Sequence, residues 1–126
     1  MTHLLTKSIL PSIVWTVIIF VLLAMNSKNS IHILGLDKLV HFILFLLFSF
    51  FWGIYLRQFI KIDEAGIFLL LVISGSGYGM GMEYYQQYFT NRSFSYWDGL
   101  ADAIGSVAGA WAAKKSPYGN RGRNQN

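Results

Sequence analysis

The chain has 126 residues, of which 54% are hydrophobic and 13% charged, and its net charge is +4. Soluble domains carry about 45–50% apolar and about 25% charged residues. On folding, a short soluble domain leaves roughly a third of the surface of its unfolded chain exposed, so it could not hide this much apolar surface from water. The absence of cysteine excludes disulfides, thiolate metal sites and cysteine nucleophiles. The basic residues flank apolar runs, so we expect a lipid bilayer and no nucleic acid as partner.

Four apolar runs predict an all-α fold, a polytopic transmembrane bundle of four helices with short loops. The spans are predicted at about 9–25, 39–56, 65–82 and 99–113, within a single transmembrane domain of residues 1–113. The first run could also be a cleaved signal peptide with Lys7 in its basic region. It lacks a small-x-small cleavage site, so we favour an uncleaved helix.

The later runs differ in polarity. The second contains one ionisable residue, His41, and the third contains none but follows Asp63 and Glu64, which suit a helix N-terminus. The fourth is short, rich in small residues and carries Asp102, so it requires close packing against its neighbours. Residues 114–126 have almost no apolar content and are predicted to form a disordered basic tail.

The distribution of Lys and Arg predicts that both termini are cytoplasmic. With the N-terminus inside, the inner segments hold seven basic residues: Lys7, Arg57, Lys61, Lys114, Lys115, Arg121 and Arg123. The outer segments hold three: Lys28, Lys38 and Arg92. This orientation brings the start of the second span, the end of the third and the start of the fourth to the outer membrane face.

Polar residues should therefore gather at that face in a group that we call the outer polar cluster. Its predicted members are Asp37, Lys38, His41, Glu83, Gln86, Arg92, Asp98 and Asp102. Asp37 suits an N-cap, and it shares a helical face with His41 four residues later. These two residues are either a cap with an interfacial histidine or a carboxylate-oriented imidazole that exchanges protons near neutral pH.

Glu83 and Gln86 share a helical face at the end of the third run. Glu83 either lies at a solvated helix end or inside the bundle, where an ionisable group is a functional candidate. The connection 83–98 also contains Arg92, which could clamp the carboxylates or bind an anionic group such as a lipid phosphate.

The fourth run carries a polar stripe with helical spacing. The stripe consists of Asp98, Asp102, Gly105 and Gly109. The two glycines permit close approach of helices, but Asp102 needs a partner, for which Arg92 and His41 are the candidates.

Glycines also punctuate the third run between Gly75 and Gly81. A phosphate-binding loop is excluded because the strand-to-helix context is missing. We expect these glycines, Gly75 and Gly79 among them, to pack helices and to face Gly105 and Gly109.

These residues resemble the VanZ-like family of bacterial membrane proteins. The pattern is Asp37-Lys38-x2-His41, then Glu83-x2-Gln86-x5-Arg92-x5-Asp98-x3-Asp102-x2-Gly105-x3-Gly109. The resemblance covers roughly residues 35–110. The family commonly has asparagine at the position of Asp102 and often proline at that of Thr90. It takes its name from a protein associated with teicoplanin resistance, and most of its members are predicted bacterial membrane proteins. The resemblance therefore implies a multi-pass protein of the bacterial inner membrane.

The leading functional hypothesis is an envelope protein whose outer polar cluster binds a lipid-linked or cell-wall ligand. The alternative is a membrane-embedded enzyme that acts on a lipid-linked substrate by acid–base or metal-assisted chemistry. No distinctive metal-ligand spacing occurs, so neither a metal site nor a cofactor is predicted. A transporter is less favoured because the third run has no charge. The sequence leaves open whether the chain is catalytic, forms a homo-oligomer or joins a membrane partner subunit.

Overall fold

The computed structural model describes residues 9–25, 36–89 and 96–115, and within these ranges it contains four α-helices and no strand. The all-α prediction is therefore confirmed, with one helix for each apolar run. The helices are α1 (Leu10–Met25), α2 (Leu36–Phe59), α3 (Glu64–Phe89) and α4 (Tyr96–Lys115).

Three helices extend beyond the predicted spans. The largest extension is in α3, which ends at Phe89, so Glu83 and Gln86 lie inside a helix rather than in a connection. The first described residue of α2 is Leu36, and Asp37 follows it, so the predicted capping role of Asp37 depends on residues outside the described ranges. Lys114 and Lys115 belong to the last turn of α4, so the predicted tail begins too early, and residues 116–126 lie outside the described residues.

The start of α3 follows the sequence prediction. Asp63 precedes the helix and its Oδ1 accepts a hydrogen bond from the backbone N–H of Gly66 at 2.9 Å. This contact satisfies one of the amide donors that a helix N-terminus leaves unpaired.

Two helices are long and apolar enough to cross a membrane, namely Lys38–Phe59 of α2 and Glu64–Phe89 of α3. Leu10–Ala24 of α1 is a shorter apolar helix. Large apolar side chains are exposed on all four helices, as Val17, Leu39, Ile73 and Ile104 illustrate. An exposed apolar surface of this extent marks contact with lipid or with another apolar surface.

The most extensive helix contact joins α2 to α4, which are not adjacent in the sequence. Glycines permit it: a Cβ at Gly105 would overlap the carbonyl oxygen of Phe42, and one at Gly109 would overlap that of Leu46. Close backbone approach at small residues is the usual basis of tight packing between apolar helices.

Glycines of α3 pack against α4 at other positions. A Cβ at Gly75 would overlap the Ser106 hydroxyl, and one at Gly79 would overlap the Asp102 carboxylate. Gly79 therefore meets Asp102 of the polar stripe as expected, but the expectation that the glycines face Gly105 and Gly109 themselves is wrong, because those two contact α2.

The packing expectation is also wrong for Gly77 and Gly81. Within the described part of the chain, a Cβ at either position would meet no heavy atom within 4 Å. The spacing of four residues placed each pair on one helical face, but it did not indicate which face meets a neighbour.

Apolar contacts and hydrogen bonds attach α1 to the other helices. Ile19 and Leu23 are buried together with Phe45 and Met82. The indole N–H of Trp15 donates to the Leu44 carbonyl at 2.9 Å. A second core, of Leu56, Ile67, Leu71 and Ala110, joins α2, α3 and α4.

Side-chain hydrogen bonds to Thr16 add to this attachment. The Tyr78 hydroxyl donates to the Thr16 carbonyl at 2.6 Å, and the indole N–H of Trp52 donates to the Thr16 hydroxyl at 3.0 Å. Polar contacts of this kind hold helices together where surrounding lipid removes the hydrophobic driving force.

Candidate functional site

Four ionisable side chains from three helices meet at one end of the bundle. His41 comes from the start of α2, Glu83 from the last third of α3, and Asp98 and Asp102 from the first turns of α4. We call these four residues the acid–imidazole cluster, and this end of the bundle the cluster end. Of the two candidate partners of Asp102, His41 and Arg92, the structure places His41 beside it.

His41 is the centre of the cluster. Its Nδ1 is 2.7 Å from Oδ1 of Asp102, which is a short hydrogen bond. Its Nε2 lies 3.6 Å from Oδ2 of Asp98 and 3.9 Å from Oε1 of Glu83. Each imidazole nitrogen therefore has at least one carboxylate oxygen within 4 Å.

All four members of the cluster are 0% exposed. Removing a charged carboxylate from water costs several kcal/mol unless hydrogen bonds and opposite charge compensate. Gly79 provides the space for one of these carboxylates, because only a residue without a Cβ leaves room for the Asp102 side chain. The arrangement is therefore built into the packing of α3 against α4.

Lys38 and Gln86 border the cluster. Nζ of Lys38 is 3.8 Å from Oδ1 of Asp98, and its side chain is 46% exposed. Gln86 is buried, and its side-chain amide donates to the Leu23 carbonyl of α1 at 2.8 Å. Lys38 thus links a buried carboxylate to the surface, whereas Gln86 secures the end of α1.

Two further predicted members of the outer polar cluster are not placed. Arg92 lies outside the described residues, as does Thr90, and the side chain of Asp37 is likewise undescribed. The predicted interactions of Asp37 and Arg92 stay predictions.

Exposed aromatic side chains surround the cluster end, and we call them the aromatic rim. Tyr88 is 76% exposed and Trp97 is 68% exposed. The other members are Tyr84, Phe89 and Tyr96. Amphipathic aromatic rings at helix ends are typical of residues that lie at the headgroup level of a bilayer.

An ion pair between a buried arginine and a partly exposed glutamate was not predicted from the sequence. Arg57, near the end of α2, is buried, and its Nε donates to Oε2 of Glu64 at 3.1 Å. Its Nη1 also donates to the Gly53 carbonyl at 3.4 Å. The sequence did contain a signal for this pairing, because opposite charges flank the short connection between α2 and α3. The cationic residue was instead taken as part of an inner loop.

The acid–imidazole cluster has two chemical capacities. A histidine whose Nδ1 is held by a carboxylate can present Nε2 as a proton acceptor or as a ligand. Carboxylates near Nε2 can stabilise a positive charge there, whether it is a proton or a cation. One ligand atom from each of His41, Glu83 and Asp102 lies within 4.8 Å of the other two, so the donors are compact enough for one small ion.

Comparison with known proteins provides no assignment. No family model, no curated protein and no solved structure matches the chain.

Proposed function

We propose that this chain is a VanZ-like, four-span protein of the bacterial cytoplasmic membrane that binds a lipid-linked or cell-wall ligand at its outer face. Both termini are cytoplasmic in this proposal, and the cluster end faces outward. The acid–imidazole cluster holds α2, α3 and α4 in register beneath the ligand.

The observation that carries the proposal is the convergence of four buried ionisable side chains at one end of a bundle with an apolar exterior. Ionisable groups inside membrane bundles are rare because they are costly, and they mark functional sites. The combination of polar interior and apolar exterior also supports crossing of the membrane by all four helices. The excess of Lys and Arg in the predicted inner segments supports the orientation.

The chemistry of the cluster end suits an amphipathic anionic ligand. The Lys38 side chain is 46% exposed and its Nζ lies 3.8 Å from Oδ1 of buried Asp98. Arg92 provides a second cation in the adjoining segment. The aromatic rim offers ring faces to a lipid chain or a sugar. A polyprenyl phosphate, which carries cell-wall precursors in membranes, combines these two features.

A binding experiment tests the proposal. The protein is reconstituted in vesicles that contain a photo-crosslinkable polyprenyl phosphate, and the crosslinked fraction is measured. We expect Lys38→Ala, Arg92→Ala and Trp97→Ala each to reduce affinity, by about tenfold where a charge-assisted contact of about 1.5 kcal/mol is lost. In bacteria that produce the chain, Arg92→Ala should also change glycopeptide susceptibility.

The matched control is Lys61→Ala, which removes an exposed cation between α2 and α3, at the opposite end of the bundle. It should leave crosslinking unchanged. Equal crosslinking of every variant, at normal membrane levels, would contradict the proposal.

The hydrogen bond between Asp102 and His41 favours one alternative, a membrane-embedded enzyme. A carboxylate that orients an imidazole is the arrangement of many general bases. Complete burial of both groups weighs against it, because a substrate could not reach Nε2 without displacement of neighbouring side chains. Release of phosphate or headgroup from the bound lipid, abolished by His41→Gln, would replace the binding proposal with this one.

A further inference from the structure

One nitrogen of the buried His41 imidazole makes no hydrogen bond within the described part of the chain. His41 is 0% exposed, and within the described ranges its Nε2 has no hydrogen-bond partner. That nitrogen is directed toward two carboxylates, with Asp98 Oδ2 at 3.6 Å and Glu83 Oε1 at 3.9 Å. A buried nitrogen without a hydrogen bond is costly unless something else occupies its lone pair.

We propose that His41 Nε2, Glu83 and Asp98 bind one divalent transition-metal ion and that Asp102 is a positioning residue for the imidazole. No metal site was predicted from the sequence, because the ligands come from three helices and match no local signature. The inference rests on the proposed function for its site, but the ion is bound whatever the lipid ligand is.

The hydrogen bond at the other side of the ring supports this assignment. Histidines that ligate metals usually donate their second N–H to a carboxylate or carbonyl, which fixes the tautomer and the ring orientation. Nδ1 of His41 makes this contact with Asp102 at 2.7 Å. In the proposed site Nδ1 therefore carries the proton and Nε2 offers its lone pair to the ion. Asp102 thereby orients the imidazole ring, and Asp98 and Glu83 are the carboxylates next to Nε2.

The two distances from Nε2 to its neighbouring carboxylates suit an ion bound between them. Zinc lies about 2.0–2.2 Å from nitrogen and oxygen ligands, so two ligands of one tetrahedral ion are about 3.3–3.6 Å apart. The observed separations of 3.6 and 3.9 Å lie within a few tenths of an ångström of this range. A divalent charge would also offset the cost of burying carboxylates.

The donor set selects the class of metal. One imidazole and two carboxylates form a mixed nitrogen and oxygen set, which suits zinc or manganese better than calcium or magnesium. The chain contains no cysteine, so thiolate-preferring Cu(I) is disfavoured. We therefore name Zn²⁺ as the first ion to test.

The test measures metal content and coordination in the full-length protein. The chain is purified in detergent through a tag without histidine, dialysed against micromolar Zn²⁺ and then against buffer, and analysed by inductively coupled plasma mass spectrometry. We expect about one zinc per chain, as for a single closed site. X-ray absorption should show a nitrogen and oxygen shell with imidazole scattering.

Isosteric variants assign the ligands. Glu83→Gln and Asp98→Asn should each lose most of the zinc, and Asp102→Asn should lower zinc affinity by about 10–100-fold, as changes to a ligand-orienting carboxylate do. The matched control is Glu64→Gln, a carboxylate at the opposite end of the bundle. The double variant His3→Gln/His32→Gln should keep its zinc, which separates the site from the other two histidines.

Two results would overturn the metal proposal: wild-type protein that retains no zinc, or a folded Glu83→Gln/Asp98→Asn variant that retains as much as wild type. The former would instead fit an imidazolium paired directly with Asp98 and Glu83. Circular dichroism and gel filtration identify variants that fail to fold. If the ligand variants do not fold, the X-ray absorption spectrum of the wild-type protein decides whether imidazole and oxygen ligands bind the zinc. A Trp97→Ala variant that loses polyprenyl phosphate crosslinking but keeps its full zinc content would show that lipid binding and metal binding are tested independently.

Discussion

Gly79 and Asp102 illustrate how single residues determine the site. Asp102 occupies the space that a side chain on α3 would otherwise fill, and from there it reaches His41 on α2. The sequence located Asp102 one turn into the fourth run and narrowed its partner to two residues. It could not decide between them, because the choice depends on how α2 and α4 pack.

The close contact at Gly79 predicts a large effect of adding one methyl group. A Cβ at position 79 would lie 2.7 Å from the Cβ of Asp102, so Gly79→Ala should destabilise the fold by about 1–3 kcal/mol through overpacking. Reversible unfolding in mixed detergent micelles measures this change.

Gly77→Ala is the matched control, because it makes the same substitution two residues away, where the described residues leave open space. It should be neutral or stabilising by up to about 1 kcal/mol, since alanine is the better helix former. Equal destabilisation by both substitutions would contradict the assigned packing of α3.

At the scale of elements, the apolar runs predicted each helix but not its full length. The predicted spans ended at the first charged or polar residue, whereas α3 continues through Glu83 and Gln86 to Phe89. Both residues are buried, and Gln86 donates to the Leu23 carbonyl of α1. Hydropathy cannot foresee such an extension, because it does not register the partners that make polar residues tolerable in an apolar setting.

The attachment of α1 yields a prediction about a single hydroxyl group. Tyr78→Phe removes the hydrogen bond to the Thr16 carbonyl and should weaken the docking of α1 by about 0.6 kcal/mol, the average for such bonds between membrane helices. Unfolding in detergent and protease cleavage near residue 26 measure the loss.

Tyr88→Phe is the corresponding control, because Tyr88 is exposed in the aromatic rim. It should alter neither unfolding nor cleavage. If both variants behave as wild type, the hydrogen bond to Thr16 does not hold α1 in place.

For the whole molecule, the apolar composition and the four apolar runs were sufficient for the all-α prediction. The pairing of buried Arg57 with Glu64 was not predicted, since burial of a residue at the end of a run depends on the neighbouring helices. The sequence could assign residues to an end of the bundle, but it could not give their depth within it.

The proposed orientation predicts which positions are reachable from outside the cell. The natural chain has no cysteine, so single substitutions can be labelled without background. In intact cells, a membrane-impermeant maleimide should label Asn91→Cys, between α3 and α4, but not Lys61→Cys, between α2 and α3. Labelling of Lys61→Cys should require permeabilised cells. The reverse pattern would place the cluster end in the cytoplasm.

The pairing of α2 with α4 has a consequence for biosynthesis. His41 emerges from the ribosome some 60 residues before Asp102, and Glu83 emerges between them. In the proposed topology, the polar groups of α2 and α3 would therefore enter the membrane before their partner exists. The synthesis of α4 would then complete the cluster. A chain that terminates before α4 would expose an orphaned histidine and glutamate to lipid, which would make it a substrate for quality-control proteases of the membrane.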